Sequence, residues 1–225
     1  SHLLHIADSD FIKSFEIIIQ LGAIAAVCVV YWRRFLSGRK IWGQLIAGFI
    51  PTAVIGLSLY SFIKVHLLGN VSVVVSALFL GGIVLIIVEK CKGEDGVRQA
   101  ESLSYKEAFV VGLAQSVALI PGVSRAAATI IAARFQGLSR AAAVEFSFLL
   151  SVPVMVAASG LDIVRHATLF TSEHVGLLAT GFITAFIVAM ISIMTLLTFV
   201  RSHTFVSFGI YRICIALLFI GIFFF

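Results

Sequence analysis

Between Ala118 and Thr129 the chain reads Ala-Leu-Ile-Pro-Gly-Val-Ser-Arg-Ala-Ala-Ala-Thr, which places a proline, a glycine, two hydroxyls and a full positive charge inside an apolar run. These residues have the chemistry of an anion site. Ser124 is placed to cap a helix that starts at Arg125, its oxygen reaching the amide of Ala126 or Ala127. Gly122 permits the backbone conformations that turn successive amides toward one point. The positive end of the helix dipole faces the same turn, and Arg125 adds a fork of five donors. Phosphate fits such a site. The plainer alternative makes Pro-Gly a kink and Arg125 a tie between helices, but a charge at membrane depth needs a partner or water and is more often functional.

Two short elements must position this turn. Lys106 to Ile120 reads as a helical run of about 22 Å at 1.5 Å per residue, too short for a hydrocarbon core of about 30 Å. Arg125 to Phe135 is shorter still. Together they read as a re-entrant hairpin whose tip sits at membrane depth, where irregular backbone survives only inside protein or beside a watered cavity.

The rest of the chain is built for a bilayer. Hydrophobic residues make up 60% of the 225 and charged residues 12%, with a mean hydropathy of +1.12. This composition excludes a soluble domain. The fold expected is all-α and polytopic, a single membrane domain over 1–225 with about six spans plus the hairpin. The spans fall near 14–32, 41–63, 71–88, 141–164, 175–200 and 205–225, and the long polar loop at 89–107. The net charge of +5 has no basic face to carry nucleic acid. Cys28, Cys91 and Cys214 have neither metal nor disulfide spacing.

Basic residues set an expected orientation. Loops 33–40, 89–107, 134–140 and 201–203 hold eleven of the sixteen Lys and Arg. The opposite loops hold Lys13, Lys64 and Arg165, while Arg125 and Arg212 are intramembrane. The positive-inside rule then puts both termini outside and sends the hairpin in from the cytoplasm.

Further polar residues lie inside spans. Glu16 and Gln20 are four apart and share a helix face. Glu145 is in the fourth span, and Arg212 in the last reads as a pairing or snorkelling residue. Ser1-His2 before Phe15-Glu16, and Ser124-Arg125 before Glu145-Phe146, suggest an internal repeat with halves near 1–89 and 106–225. Three spans in the first half make the second copy inverted, an arrangement that converges on a midplane site of broken helices.

Pro121-Gly-Val-Ser-Arg-Ala-Ala-Ala-Thr129 resembles the Pro-Gly-x-Ser-Arg-Ser-x-x-Thr signature of the bacterial undecaprenyl-diphosphatase, or bacitracin-resistance, family. Phe15-Glu16-Ile-Ile-Ile-Gln20-Leu-Gly-Ala and Glu145-Phe-Ser-Phe-Leu-Leu-Ser-Val-Pro153 resemble segments of the same family. The resemblance implies hydrolysis of undecaprenyl diphosphate in the bacterial plasma membrane, recycling the lipid carrier of the cell wall. It implies phosphate binding by Gly122, Ser124, Arg125 and Thr129, and catalysis by Arg125, Ser124 and His2, the last as general acid or base. Glu16 and Glu145 would support these groups or bridge a metal and Gln20 would support them, although Glu145 pairing with an arginine and Gln20 bonding between helices are also open.

The resemblance further implies a divalent cation, Mg²⁺ or Ca²⁺, for which the spacing of residues offers no motif. A polyprenyl diphosphate is the partner expected, with a homodimer also open and no nucleic acid. This sequence departs from the family pattern in two places. Only Ser1-His2 stands where the family has Ser-Ser-Thr-(Gly/Ser)-His behind a glutamate-rich motif, so the N-terminal hairpin is expected to be incomplete. Ala126 stands where the family usually has serine. A polyprenyl-phosphate or anion transporter with the same broken helix is the competing reading.

Overall fold

The computed structural model describes residues 10–92, 96–165 and 175–224. Among them the structure is helical, without strands, as the composition dictates. In chain order the helices are α1 (Asp10–Val30), α2 (Trp32–Leu36), α3 (Arg39–Ser58), α4 (Tyr60–Phe62), α5 (Val71–Lys92), α6 (Tyr105–Gln115), α7 (Arg125–Phe135), α8 (Arg140–Arg165), α9 (Val175–Ser202) and α10 (Val206–Phe224). Helices α3, α5, α8 and α9 are long and apolar enough to cross a membrane; α1 and α10 contribute shorter apolar segments, Phe15–Val30 and Val206–Ile222. The protein is therefore a multi-pass membrane protein. Large aliphatic side chains such as Val54, Leu57, Leu80, Ile183 and Ile191 stand exposed on these helices, as lipid-facing surface requires.

Two boundaries differ from those expected. The second span ends at Ser58 rather than near residue 63; the chain goes on as the short α4 and a wide π-type turn, Ile63–Leu67. Helix α6 stops at Gln115, tightens into a 3₁₀ turn over Ser116–Leu119 and becomes extended at Ile120 (φ −74°, ψ 122°). The reason is local. Pro121 disfavours helical backbone in the residue before it.

The chain forms two compact units, each drawing on distant stretches of the sequence: 1–37 with 151–196, and 38–150 with 197–225. In the first, α1 crosses α9 through glycines. A Cβ on Gly22 would lie 2.5 Å from the Phe182 carbonyl oxygen, and one on Gly181 would meet the Phe15 ring at 2.5 Å. Ile17, Ile24, Ala26 and Val27 of α1 are buried.

The second unit uses the same device twice. Where α3 crosses α6, a Cβ on Gly112 would lie only 1.8 Å from the Gly48 carbonyl oxygen. Thr52 donates to the Gly112 carbonyl at 2.9 Å and accepts from Gln115 Nε2 at 2.9 Å, so hydrogen bonds link the two helices where they cross. Helices α5 and α10 close on each other at Gly82 and Gly209, where a Cβ on either would come within 2.8 Å of the other's carbonyl.

Candidate functional site: the hairpin of α6 and α7

Both ends of the hairpin are fastened at one end of its unit. Ser104 and Glu107 form a capping box, the Ser104 hydroxyl accepting from the Glu107 amide and the Glu107 carboxylate accepting from the Ser104 amide. Arg98 then grips Glu107 with two bonds, Nη1 to Oε1 at 2.7 Å and Nη2 to Oε2 at 3.1 Å. Its Nη1 also donates to the Gln136 carbonyl at 2.6 Å, just beyond the end of α7. The Arg98 and Ser104 bonds hold the Glu107 carboxyl far below the usual carboxylate range, at about 2.

One guanidinium therefore ties the start of α6 to the end of α7. The chain enters and leaves on the same side, as a re-entrant hairpin must. Each helix has 11 residues, about 17 Å. At the same end, Glu89 of α5 and Arg140 of α8 form a buried ion pair. Arg134, expected in a loop, is instead 3% exposed and donates to the Leu138 carbonyl at 2.8 Å, closing the turn after α7.

The tip lies at the far end. Gly122 has φ +89°, a conformation that side chains resist. Its Cα faces the backbone of Val74, and an added Cβ would sit 2.4 Å from the Val74 carbonyl oxygen. Ser124 caps α7 with its oxygen accepting from the Ala127 amide at 3.2 Å, one of the two bonds expected from sequence. Arg125, the first residue of α7, is partly buried, and its Nη1 is enclosed without a hydrogen-bond partner among the described residues. A helix N-terminus beside an uncommitted guanidinium can take an anion without first breaking an ion pair.

Thr129 has a different setting from the one expected. It is fully buried, and its hydroxyl lies 3.0 Å from the carbonyls of both Arg125 and Ala126 and 2.6 Å from Ser147 Oγ. With a single proton, it braces α7 against α8 in this arrangement instead of pointing out of the tip. Ser147 lies two residues beyond Glu145, which is itself partly buried on α8. Glu16 and Gln20 are exposed on α1 in the other compact unit. His2 lies outside the described residues.

Arg212 takes a place that sequence reasoning missed. Its Nη2 donates to the Gly122 carbonyl at 3.0 Å and to the Ala77 carbonyl at 3.3 Å, linking α10 to the tip and to α5. The rule that singled out Arg125 applied equally to Arg212, since both are charges inside apolar helices. Beside the tip is a cavity of about 660 Å³, lined by Ser72, Ser76, Ser124 and Arg212 and otherwise by aliphatic side chains. Among the described residues, no three His, Cys, Asp or Glu side chains are grouped to hold a metal.

Comparison with known proteins places the chain in a family. The family model of the bacitracin resistance protein BacA matches residues 1–218. The undecaprenyl-diphosphatase of Aquifex aeolicus is 45% identical over 226 residues, covering 100% of this chain and 88% of that protein. That of Wolinella succinogenes is 44% identical, covering 98% and 86%, and that of Methanococcus aeolicus 40%, covering 95% and 84%. With this match, which includes the Pro121–Thr129 segment at the tip of the hairpin, the chain belongs to the bacitracin resistance protein BacA family.

Proposed function

We propose that this protein hydrolyses undecaprenyl diphosphate to undecaprenyl phosphate and inorganic phosphate, recycling the lipid carrier of the cell wall and conferring bacitracin resistance. One observation carries the reading: an arginine whose buried Nη1 has no hydrogen-bond partner among the described residues, at the N-terminus of a helix that begins inside the membrane protein, in a chain of this family. The oxygen of water attacks the terminal phosphorus, directly or after that phosphoryl group has first passed to a side chain, and gives up its proton to a general base. The anhydride P–O bond breaks, undecaprenyl phosphate leaves with the bonding pair, and the water oxygen ends in inorganic phosphate.

Arg125 clamps the transferring group and stabilises charge on its equatorial oxygens, while the first amides of α7 complete the cradle. Ser124 fixes those amides through its cap, and Gly122 shapes the turn. Thr129 contributes by holding α7 on Ser147. His2 serves as general acid or base, being the side chain whose proton exchanges near neutral pH. Glu145, partly buried on α8 two residues before Ser147, supports the site. For the divalent cation that the family suggests, the described residues do not form a ligand set, and no step is derived through it. The largely aliphatic cavity beside Ser124 suits part of the polyprenyl tail.

Two features support an orientation with the basic loops in the cytoplasm. Arg98 brings the 89–107 loop and the 134–140 link together, and Gln44, near the start of α3, donates to the Leu103 carbonyl at 2.6 Å, so three basic segments share one end of the unit. From Glu89 at that end to Val74 beside the tip is 15 residues of α5, about 22 Å. The tip therefore lies close to the outer end of α5, and phosphate would be released on the outer side.

The test is phosphate release from undecaprenyl diphosphate by the purified protein carrying its natural N-terminus. Arg125→Lys is expected to lower turnover by roughly 100-fold or more with the melting temperature retained, because lysine cannot reproduce the fork. Wild-type turnover in that variant would remove Arg125 from the reaction. Lipid movement across vesicles without phosphate release would favour transport instead.

A further inference from the structure

The Pro-Gly tip carries a problem that its own residues do not solve. Irregular backbone inside a membrane protein needs partners for its carbonyls, and the carbonyls of an anion site must also be kept from facing the anion. At Gly122 the partner is Arg212. Its Nη2 reaches the Gly122 carbonyl at 3.0 Å from a helix 90 residues away in sequence, and is braced on the other side by Ala77.

The route of this side chain is cleared by glycine. A Cβ on Gly81 would stand 2.7 Å from Nη2 and 3.4 Å from Cζ. Gly82, the next residue along α5, and Gly209, about one turn before Arg212 on α10, let the two helices approach closely enough for the guanidinium to arrive at that height. Arg212 also lines the same cavity as Ser124. The charge therefore lies against the back of the turn that presents the α7 amides.

We propose that Arg212 is a positioning residue: it holds the Gly122 carbonyl away from the anion, and so fixes the Gly122–Ser124 turn in the shape that aims the first amides of α7 and the Arg125 fork at one point. A simple brace between helices would affect stability alone. A residue that sets the shape of the cradle affects the transition state, where charge on the transferred group is greatest, more than it affects lipid binding. The inference rests on the hydrolytic reading above in its kinetic part, and on geometry alone in its dynamic part.

The experiment compares wild type, Arg212→Gln, Arg212→Lys and Gly81→Ala, all with the natural N-terminus. Arg212→Gln is expected to lose roughly 10- to 100-fold in kcat, the effect of one charge-assisted bond, with KM for the lipid changed less than about threefold. Arg212→Lys should recover part of that loss, since an ammonium can reach one carbonyl but not bridge two. Gly81→Ala keeps the charge and displaces the guanidinium, so it should lower kcat in the same sense; it stands in for Arg212→Gln if that variant fails to fold.

Hydrogen exchange of peptides covering 120–128 should quicken in Arg212→Gln or Gly81→Ala while exchange in α3 stays as in wild type. Unchanged kcat in a folded variant, or a loss confined to KM, would overturn the proposal. If wild type releases no phosphate, the hydrolytic reading fails by itself. Exchange at the tip then decides the positioning role, and equal protection in variant and wild type would end it.

Discussion

Replacing Gly122 by alanine puts a methyl group where the tip touches α5 backbone to backbone. The added carbon would lie 2.4 Å from the Val74 carbonyl oxygen, 2.8 Å from its Cα and 3.0 Å from its carbonyl carbon. No side chain is available to rotate away, so tip and helix must separate by about 1 Å to restore ordinary contact of about 3.3 Å. The residue's φ of +89° adds a penalty of about 1–2 kcal/mol for any L side chain. Overpacking contributes about 1–3 kcal/mol if nothing moves.

The cheaper response is for the tip to move, because Ile120–Ser124 belongs to no helix while Val74 is held in the first turns of α5. The substitution should therefore lower the melting temperature modestly but reduce turnover by roughly 100-fold, the usual effect of a 1 Å misplacement at a reacting centre. Phosphate release and a thermal melt of the same detergent-solubilised sample would read both. Gly221→Ala is the control: its Cβ meets nothing within 4 Å, and both quantities should stay near wild type. Turnover in Gly122→Ala equal to that of the control would refute the claim that the tip is pressed on α5.

Three other outcomes are expected. The Glu107 carboxyl titrates at about 2 in the folded protein against 4.5 for the free group, so its stabilising effect is fully present above pH 4.5 and is lost as the pH falls toward 2. Because Arg98 and Glu107 are 35% and 26% exposed and so screened by water, the amount is only about 1 kcal/mol, and Glu107→Gln should flatten the acid limb of a stability-against-pH curve. Gly112→Ala would drive a methyl group to 1.8 Å from the Gly48 oxygen and break the Thr52 and Gln115 bonds; folded yield should collapse, and a normal yield would show that α3 and α6 are less tightly crossed. Thr129→Val removes the buried hydroxyl shared with Ser147 and should cost about 1–2 kcal/mol in a denaturation series, with a smaller loss of turnover than Arg125→Lys.

Much of the site could be read in the sequence because its signals are local. A serine before a helix, a glycine after proline and an arginine in an apolar run each have one-dimensional causes, and Ser124 caps α7 as those rules require. The setting of Thr129 and the partners of Arg212 are not local in this sense. Sequence spacing puts Thr129 one turn beyond Arg125, but whether its hydroxyl faces outward depends on Ser147, on a different helix. The role of Arg98 was hidden although Ser104-x-x-Glu107 is a readable cap, since nothing in that pattern announces a bond to Gln136.

The sequence by itself determined the medium and the number of apolar helices. Transfer of a helix into lipid depends on the summed hydropathy of some twenty consecutive residues, a property that survives without knowledge of neighbours. It also determined that the chain breaks at Pro121-Gly122. Only the tertiary structure decided that the tip is pressed on the first turn of α5 at Val74, and which arginine supports it from behind. Those outcomes depend on backbones that meet through Gly48 and Gly112, Gly82 and Gly209, and Gly122 and Val74, and close approach between distant segments is a property of pairs that no single stretch of sequence contains.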